Sequence, residues 1–170
     1  MIQKIILNLE KRPILFMMIG IPGSGKSTWA RNNFKDSSMI VALDVIRRSV
    51  YVYFPQELDK IKEEIIWNRA IKACSERLLR GEPVLLDSMA LTKIFRKGVV
   101  SKIEDLVEQD LTKVAIFLDT PLSVAILRNN NRYKIVNEET IRRMIGYLEP
   151  PTYNEGFEQI IKISAKQSAL

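Results

Sequence analysis

The stretch Gly20-Ile21-Pro22-Gly23-Ser24-Gly25-Lys26-Ser27-Thr28 restricts what this chain can fold into more than any other segment. Two glycines with four residues between them, then Lys and Ser, match a loop whose backbone N–H groups wrap a polyphosphate. Such a loop needs a strand before it and a helix after it. The apolar run Ile14 to Ile19 reads as a buried parallel strand, and Lys26 to Phe34 as the departing helix. Gly20, Gly23 and Gly25 let the backbone approach the phosphates, Lys26 reaches the outer ones, and Ser27 offers a hydroxyl to Mg2+. Pro22, Ser24 and Thr28 complete the expected nucleotide-binding set.

The rest of the chain alternates strands and helices. Met39 to Leu43 is a short second strand, and Asp44 caps a helical turn through Val45-Ile46-Arg47-Arg48, which puts Asp44 and Arg47 on one face. Tyr51 to Pro55 should break that helix. Gln56 to Arg80 then carries Leu58, Ile61, Ile65, Ile71, Cys74 and Leu78 as an apolar stripe. Val84 to Asp87 and Val114 to Leu118 are apolar runs followed or closed by Asp, giving Asp87 and Asp119 at strand ends. Helices are expected at Ser101 to Gln109 with Ile103, Leu106 and Val107 inward, after a Thr120-Pro121 cap with Leu122, Ala125 and Ile126 inward, and from Asn137, with a last strand at Glu158 to Ile163. Met1 to Arg12 is read as a leading strand or arm, and residues 164–170 as a loose tail. This order predicts one α/β domain over residues 1–170: a three-layer P-loop NTPase of the nucleoside/nucleotide kinase type, a parallel sheet with helices on both faces and a small helical lid.

Composition excludes several chemistries. The chain has no His and one Cys, so a zinc cluster, a disulfide and a His-based triad are absent, and any general base is a carboxylate first, Lys or Tyr less readily. A single Cys suits a reducing, cytoplasmic setting; the apolar opening runs into the phosphate loop without a cleavage pattern, and no run approaches a membrane span. The net charge of +6 suits a phosphate-bearing partner, nucleotide or nucleic acid.

In such a sheet, ligands bind beyond the carboxyl ends of the strands, where Asp44, Asp87 and Asp119 would converge on the loop. Asp87 is expected to organise the metal with Ser27, and Asp119 has the same form. Asp44 is placed as the carboxylate that accepts the proton of an attacking hydroxyl, with Arg47 holding the acceptor's phosphate or keeping Asp44 ionised. Arg128 and Arg132, four apart before an Asn-rich break, are expected to reach the donor's phosphates from a lid at about 128–137. Arg142 and Arg143 read as an outer helix face. Tyr51, Tyr53, Phe54 and Trp67 could stack on a base or simply pack, and Trp29 reads as core.

With these residues in place, the sequence resembles the P-loop kinases grouped around the 5′-hydroxyl polynucleotide kinase domain and the small ATP-binding kinases related to it. The likeness runs from Gly20 to about Ile163. It includes Gly20 through Arg31, the pair Asp44 and Arg47, Asp87-Ser88, Leu118-Asp119-Thr120-Pro121, and Arg128-Asn129 with Arg132. Beyond these, Arg143-Met144, Leu148-Glu149-Pro150-Pro151-Thr152 and Glu155-Gly156-Phe157 form its most specific block outside the loop. The family pattern departs at Asp87-Ser88-Met89 and at Tyr133 to Asn137. The resemblance implies ATP as donor with Mg2+, Asp44 as general base, Arg47 on the acceptor's phosphate and Arg132 on those of ATP. The expected reaction is transfer of the γ-phosphoryl group to a hydroxyl, foremost the 5′-hydroxyl of a polynucleotide; a small-alcohol kinase or a nucleotide-binding switch are the alternatives.

Overall fold

The computed structural model describes residues 12–53 and 59–164. Five strands, β1 (Ile14–Ile19), β2 (Ile40–Ala42), β3 (Val84–Asp87), β4 (Thr112–Asp119) and β5 (Gln159–Ser164), form one sheet in the order β2-β3-β1-β4-β5. Every pairing is parallel. Six helices connect them: α1 (Lys26–Asn33), α2 (Leu43–Tyr53), α3 (Asp59–Leu79), α4 (Lys93–Val107), α5 (Leu122–Asn130) and α6 (Glu138–Tyr147).

β1 shows why the sheet is covered on both sides. Leu15, Met17 and Ile19 enter a core with Ile66, Ala70 and Ile103 of α3 and α4, whereas Ile14, Phe16 and Met18 meet Ala30 of α1 and the adjoining Phe34. Successive side chains of a strand point to opposite faces, so an unbroken apolar run is what a three-layer arrangement requires. A third cluster, Ile21, Ala125 and Ile141, ties the phosphate loop to α5 and α6. With β1 central, the chain passes to β3 on one side and β4 on the other, so a crevice opens beyond the carboxyl end of β1.

Several expectations are corrected. Tyr51 to Tyr53 continue α2 instead of breaking it, and Asp44 lies in the first turn of that helix, not at its cap. α4 begins at Lys93, eight residues before the expected start, with Thr92 capping it by accepting from the Phe95 N–H at 3.3 Å. Ile61 and Leu106, assigned inward, are exposed. The buried face of α3 is Ile66, Ala70, Ile71, Cys74 and Leu78, and it also encloses Lys62 and Ser75. Thr120 is no cap either, because Pro121 holds that position. The expected arm at Met1 to Lys11, Phe54 and Pro55 of the helix break, Gln56 and Leu58, and the tail after Ser164 lie outside the described residues.

Candidate active site

The phosphate loop connects β1 to α1, and its glycines are sterically required. Gly23 has φ +79° and lies against α5, where a Cβ would come within 2.1 Å of the Ala125 carbonyl oxygen. At Gly20 a Cβ would meet the Ser24 hydroxyl at 2.8 Å, and the Gly20 N–H donates to the Met89 carbonyl at 3.1 Å. The Thr120 hydroxyl, freed from capping, donates to the Ser24 carbonyl at 3.1 Å. The loop is thereby clamped between the ends of β3 and β4. Pro22 and Ser24 are buried, and Thr28 is exposed.

Lys26 folds across this loop. Its Nζ donates to the carbonyl oxygens of Gly20 at 2.8 Å and Ile21 at 2.9 Å, with the Ser24 hydroxyl at 3.5 Å. Burial of its ammonium lowers the pKa to about 8; Asp87 and Asp44 oppose that shift and Arg132 adds to it. Asp44, Asp87 and Arg132, 88 positions apart at the extremes, thus act on one lysine (132 − 44).

Asp87 ends β3 with its carboxyl pushed above the ordinary value by burial, while a hydrogen bond from Ser27, Lys26 and Arg31 pull it back and Asp44 adds to the rise. A carboxylate and a hydroxyl joined in this way, beside a lysine, form a donor set that fits Mg2+. No group of three Asp, Glu or Cys residues able to hold a metal occurs among the described residues. Mg2+ there would draw most of its coordination from water and phosphate oxygens, its usual habit. Asp119, the other strand-end carboxylate, is held by Lys162 at 2.7 Å on the far side of β4.

Asp44 stands exposed on α2 and accepts from the Arg47 Nη1 at 2.9 Å. The same guanidinium forks onto Glu63 of α3, at 2.9 Å through Nε and 3.1 Å through Nη2. The hydrogen bonds that Arg47 donates to Glu63 are the main reason its pKa is raised. Glu63 was not among the sequence-derived residues; it lies sixteen positions from Arg47, too far apart for any local pattern to reveal.

Arg128, at the end of α5, places a guanidinium nitrogen 3.7 Å from where a Gly25 Cβ would stand, over the mouth of the loop. Arg132 follows in the exposed turn. Between them Asn129, fully buried, clamps the turn by donating to the Val136 carbonyl at 2.8 Å and accepting from the Val136 N–H at 3.0 Å. The sequence placed Asn129 in the Arg128-Asn129 and Arg132 lid set and in the Asn-rich break, without its partner Val136. Tyr51 donates to Asp59 at 3.2 Å and lies under the Lys62 ammonium, Trp67 packs edge-on against Phe95, and Trp29 lies against Phe34 in the core. Tyr53 is solvent-exposed. Arg142 bonds to Glu138 on the outer face of α6.

The parallel sheet, the clamped loop and the lid-like pair α5 and α6 define a P-loop domain with a kinase-type fold. The chain belongs to the family described as AAA domain, whose model matches residues 15–151. A sugar kinase from Janibacter sp. HTCC2649 superimposes with a TM-score of 0.65 at 16% identity, over 91% of this chain and 87% of that one. Kti12 from Chaetomium thermophilum, in complex with ADP-AlF3, gives 0.66 at 15% identity over 91% and 90%. A chain of the Pnkp1/Rnl/Hen1 RNA repair complex gives 0.62 at 19% identity over 81% of this chain and 44% of that one. A curated relative, the signal recognition particle protein of Mycoplasma genitalium, is 42% identical over 45 residues, 22% of this chain and 10% of its own length. Among the described residues, no helix is long and apolar enough to cross a membrane.

Proposed function

We propose that this domain is an ATP-dependent phosphotransferase that moves the γ-phosphoryl group to a hydroxyl, with the 5′-hydroxyl of a polynucleotide as acceptor. The observation that carries the reading is the shared electrostatic environment of Lys26. A half-buried carboxylate suited to metal, Asp87, and an exposed one suited to a proton, Asp44, both act on the lysine of the phosphate loop. A nucleotide-binding switch would need only the first.

The backbone N–H groups of the loop and the Lys26 ammonium would hold the donor's phosphates. Ser27 and Asp87 would hold Mg2+, which would supply positive charge to the phosphate oxygens. Asp44 would orient the acceptor hydroxyl and take its proton as the new oxygen–phosphorus bond forms and the bond to the ADP oxygen breaks. Arg47 keeps Asp44 in place; for it to contact an acceptor phosphate, that phosphate must replace Glu63 in its fork. Arg128 and Arg132 would neutralise charge on the transferring group.

The polynucleotide acceptor is supported by the net charge of +6 and by the fold shared with a chain of the RNA repair complex. A small-alcohol acceptor is the second reading, favoured by Glu63 already filling the arm of Arg47 that a nucleic-acid phosphate would use, and consistent with the sugar kinase's fold. Incubation with γ-labelled ATP and a panel of 5′-hydroxyl oligonucleotides, nucleosides and sugars separates them: label on an oligonucleotide supports the first, and label confined to small alcohols replaces it with the second.

A further inference from the structure

One fully buried cation takes no part in the chemistry above. Arg96 of α4 lies beneath the surface, and its guanidinium reaches the loop just before its own helix and two segments distant in sequence. Nε and Nη2 donate to the two carboxylate oxygens of Glu155, which caps the turn after α6. Nη1 donates to the carbonyl oxygens of Ala90 at 2.9 Å, Leu91 at 3.0 Å and Glu149 at 3.0 Å. Ala90 and Leu91 belong to the loop that leaves Asp87; Glu149 begins the segment that leaves α6.

Other bonds join the same pieces. The Glu149 N–H donates to the Leu91 carbonyl at 2.9 Å, and the Glu149 carboxylate accepts from the Lys93 N–H at 2.7 Å, at the start of α4. The Thr152 N–H and hydroxyl donate to Glu155 at 2.7 and 3.2 Å. Burial opposes ionisation of the Glu155 carboxyl, but the bonds from Arg96 and Thr152 outweigh it and hold it below the ordinary value. Ala90 has φ +45°, a left-handed conformation that a residue with a side chain keeps only when its surroundings impose it. The preceding carbonyl, Met89, accepts from Gly20 of the phosphate loop. The carbonyls of residues 89, 90 and 91 are therefore each fixed, one to the phosphate loop and two to Arg96.

An apolar pair of equal volume can stabilise a core as well as a buried ion pair does, so stability alone does not account for Arg96. A guanidinium shared among three carbonyls and a carboxylate is a device for holding segments in register. We propose that Arg96, with Glu155, is a positioning residue: it fixes the exit of α6, and hence the lid carrying Arg128 and Arg132, against the loop leaving Asp87. This rests on the phosphotransferase reading. It assigns a function to Glu149-Pro150-Pro151-Thr152 and Glu155, which touch no proposed donor or acceptor site.

The test compares the full-length wild type with the paired variant R96M/E155L and, as a variant that keeps the size of the Glu155 side chain but turns one of its two accepting oxygens into an amide donor, E155Q. Expected for R96M/E155L is nucleotide affinity within about threefold of wild type, a kcat lower by about ten- to a hundredfold, as misplacement of reacting groups gives, and faster amide exchange at residues 89–91, Leu148, Glu149 and Thr152. E155Q should fall between. An unchanged kcat, or a loss that merely follows the fraction folded, would overturn the proposal. Should the wild type transfer phosphate to nothing, the phosphotransferase reading fails on its own. The positioning claim is then decided by nucleotide-induced protection of amides 128–136: weakened in R96M/E155L if Arg96 positions the lid, equal in both proteins if it does not. If R96M/E155L does not fold, E155Q is read by the same criteria.

Discussion

Lys26 sets the residue-scale chemistry, because its ammonium is neutralised near the pH at which the domain would work. Only the protonated form attracts phosphate, and deprotonation begins at about 8. The affinity for ATP should therefore be constant below that point and fall by about tenfold per pH unit above it, until the pKa of the bound form is reached. The sign for the unliganded fold is opposite. An unfolded lysine keeps its proton to 10.5, so between about 8 and 10.5 the unfolded chain binds more protons and stability rises with pH. Titration of ATP affinity by calorimetry checks the first statement, and a flat profile through pH 9 would contradict it. The roles of Lys26 and Ser27 were legible because the loop's spacing specifies them. Glu63 and Arg96 were not, since what defines each is a partner or a burial that no local pattern records; a buried Arg reads in sequence as a solvated one.

At the scale of elements, α5 is packed against the phosphate loop at Gly23 and Ile21, so loop and lid respond together. Gly23→Ala would drive its methyl into the Ala125 carbonyl, forcing α5 away from the loop. Loss of nucleotide binding with a melting temperature lower by several degrees is expected, from a strained left-handed position and a backbone clash each costing about 1–3 kcal/mol; a variant that binds ATP normally would show the contact to be slack. Asn129→Ala should leave the part-buried Val136 N–H and C=O without their partner, at no more than about 1–3 kcal/mol for each group. Faster exchange of the Val136 amide, measured by NMR, would report it, and unchanged exchange would count against the clamp. β1, β3 and the start of α1 stood out in the sequence because six unbroken apolar residues before a glycine loop, or four ending in Asp, admit few alternatives. The first half of α4 was hidden because Lys93, Arg96, Lys97 and Gly98 disguise its apolar period, although Arg96 faces inward. In α3, Ile71, Cys74 and Leu78 of the expected stripe lie inside and Ile65 packs against the core, whereas Ile61 lies outside and the unforeseen Lys62 and Ser75 lie inside.

The whole molecule brings one more constraint. A +6 chain whose candidate site exposes Arg128 and Arg132 should bind single-stranded nucleic acid through phosphate contacts. Oligonucleotide affinity should then drop as salt rises, by about 0.7 log units per tenfold salt for every phosphate contacted, whereas a small-alcohol acceptor would show almost no such slope. The doubly wound order β2-β3-β1-β4-β5 explains why residues from 20 to 132 converge: all reach the crevice from strand ends or the segments that follow them. The sequence pattern foretold the three layers and the approach of Asp44, Asp87 and Arg132 to Lys26, but not that Asp119 would be held by Lys162. Single-turnover transfer from γ-labelled ATP to a 5′-hydroxyl oligonucleotide, with wild type beside Asp44→Asn, tests this account most directly. Transfer by the wild type, with a fall of about 10²–10⁴ in the variant at unchanged ATP affinity, is the predicted result; transfer that survives the substitution undiminished would contradict it.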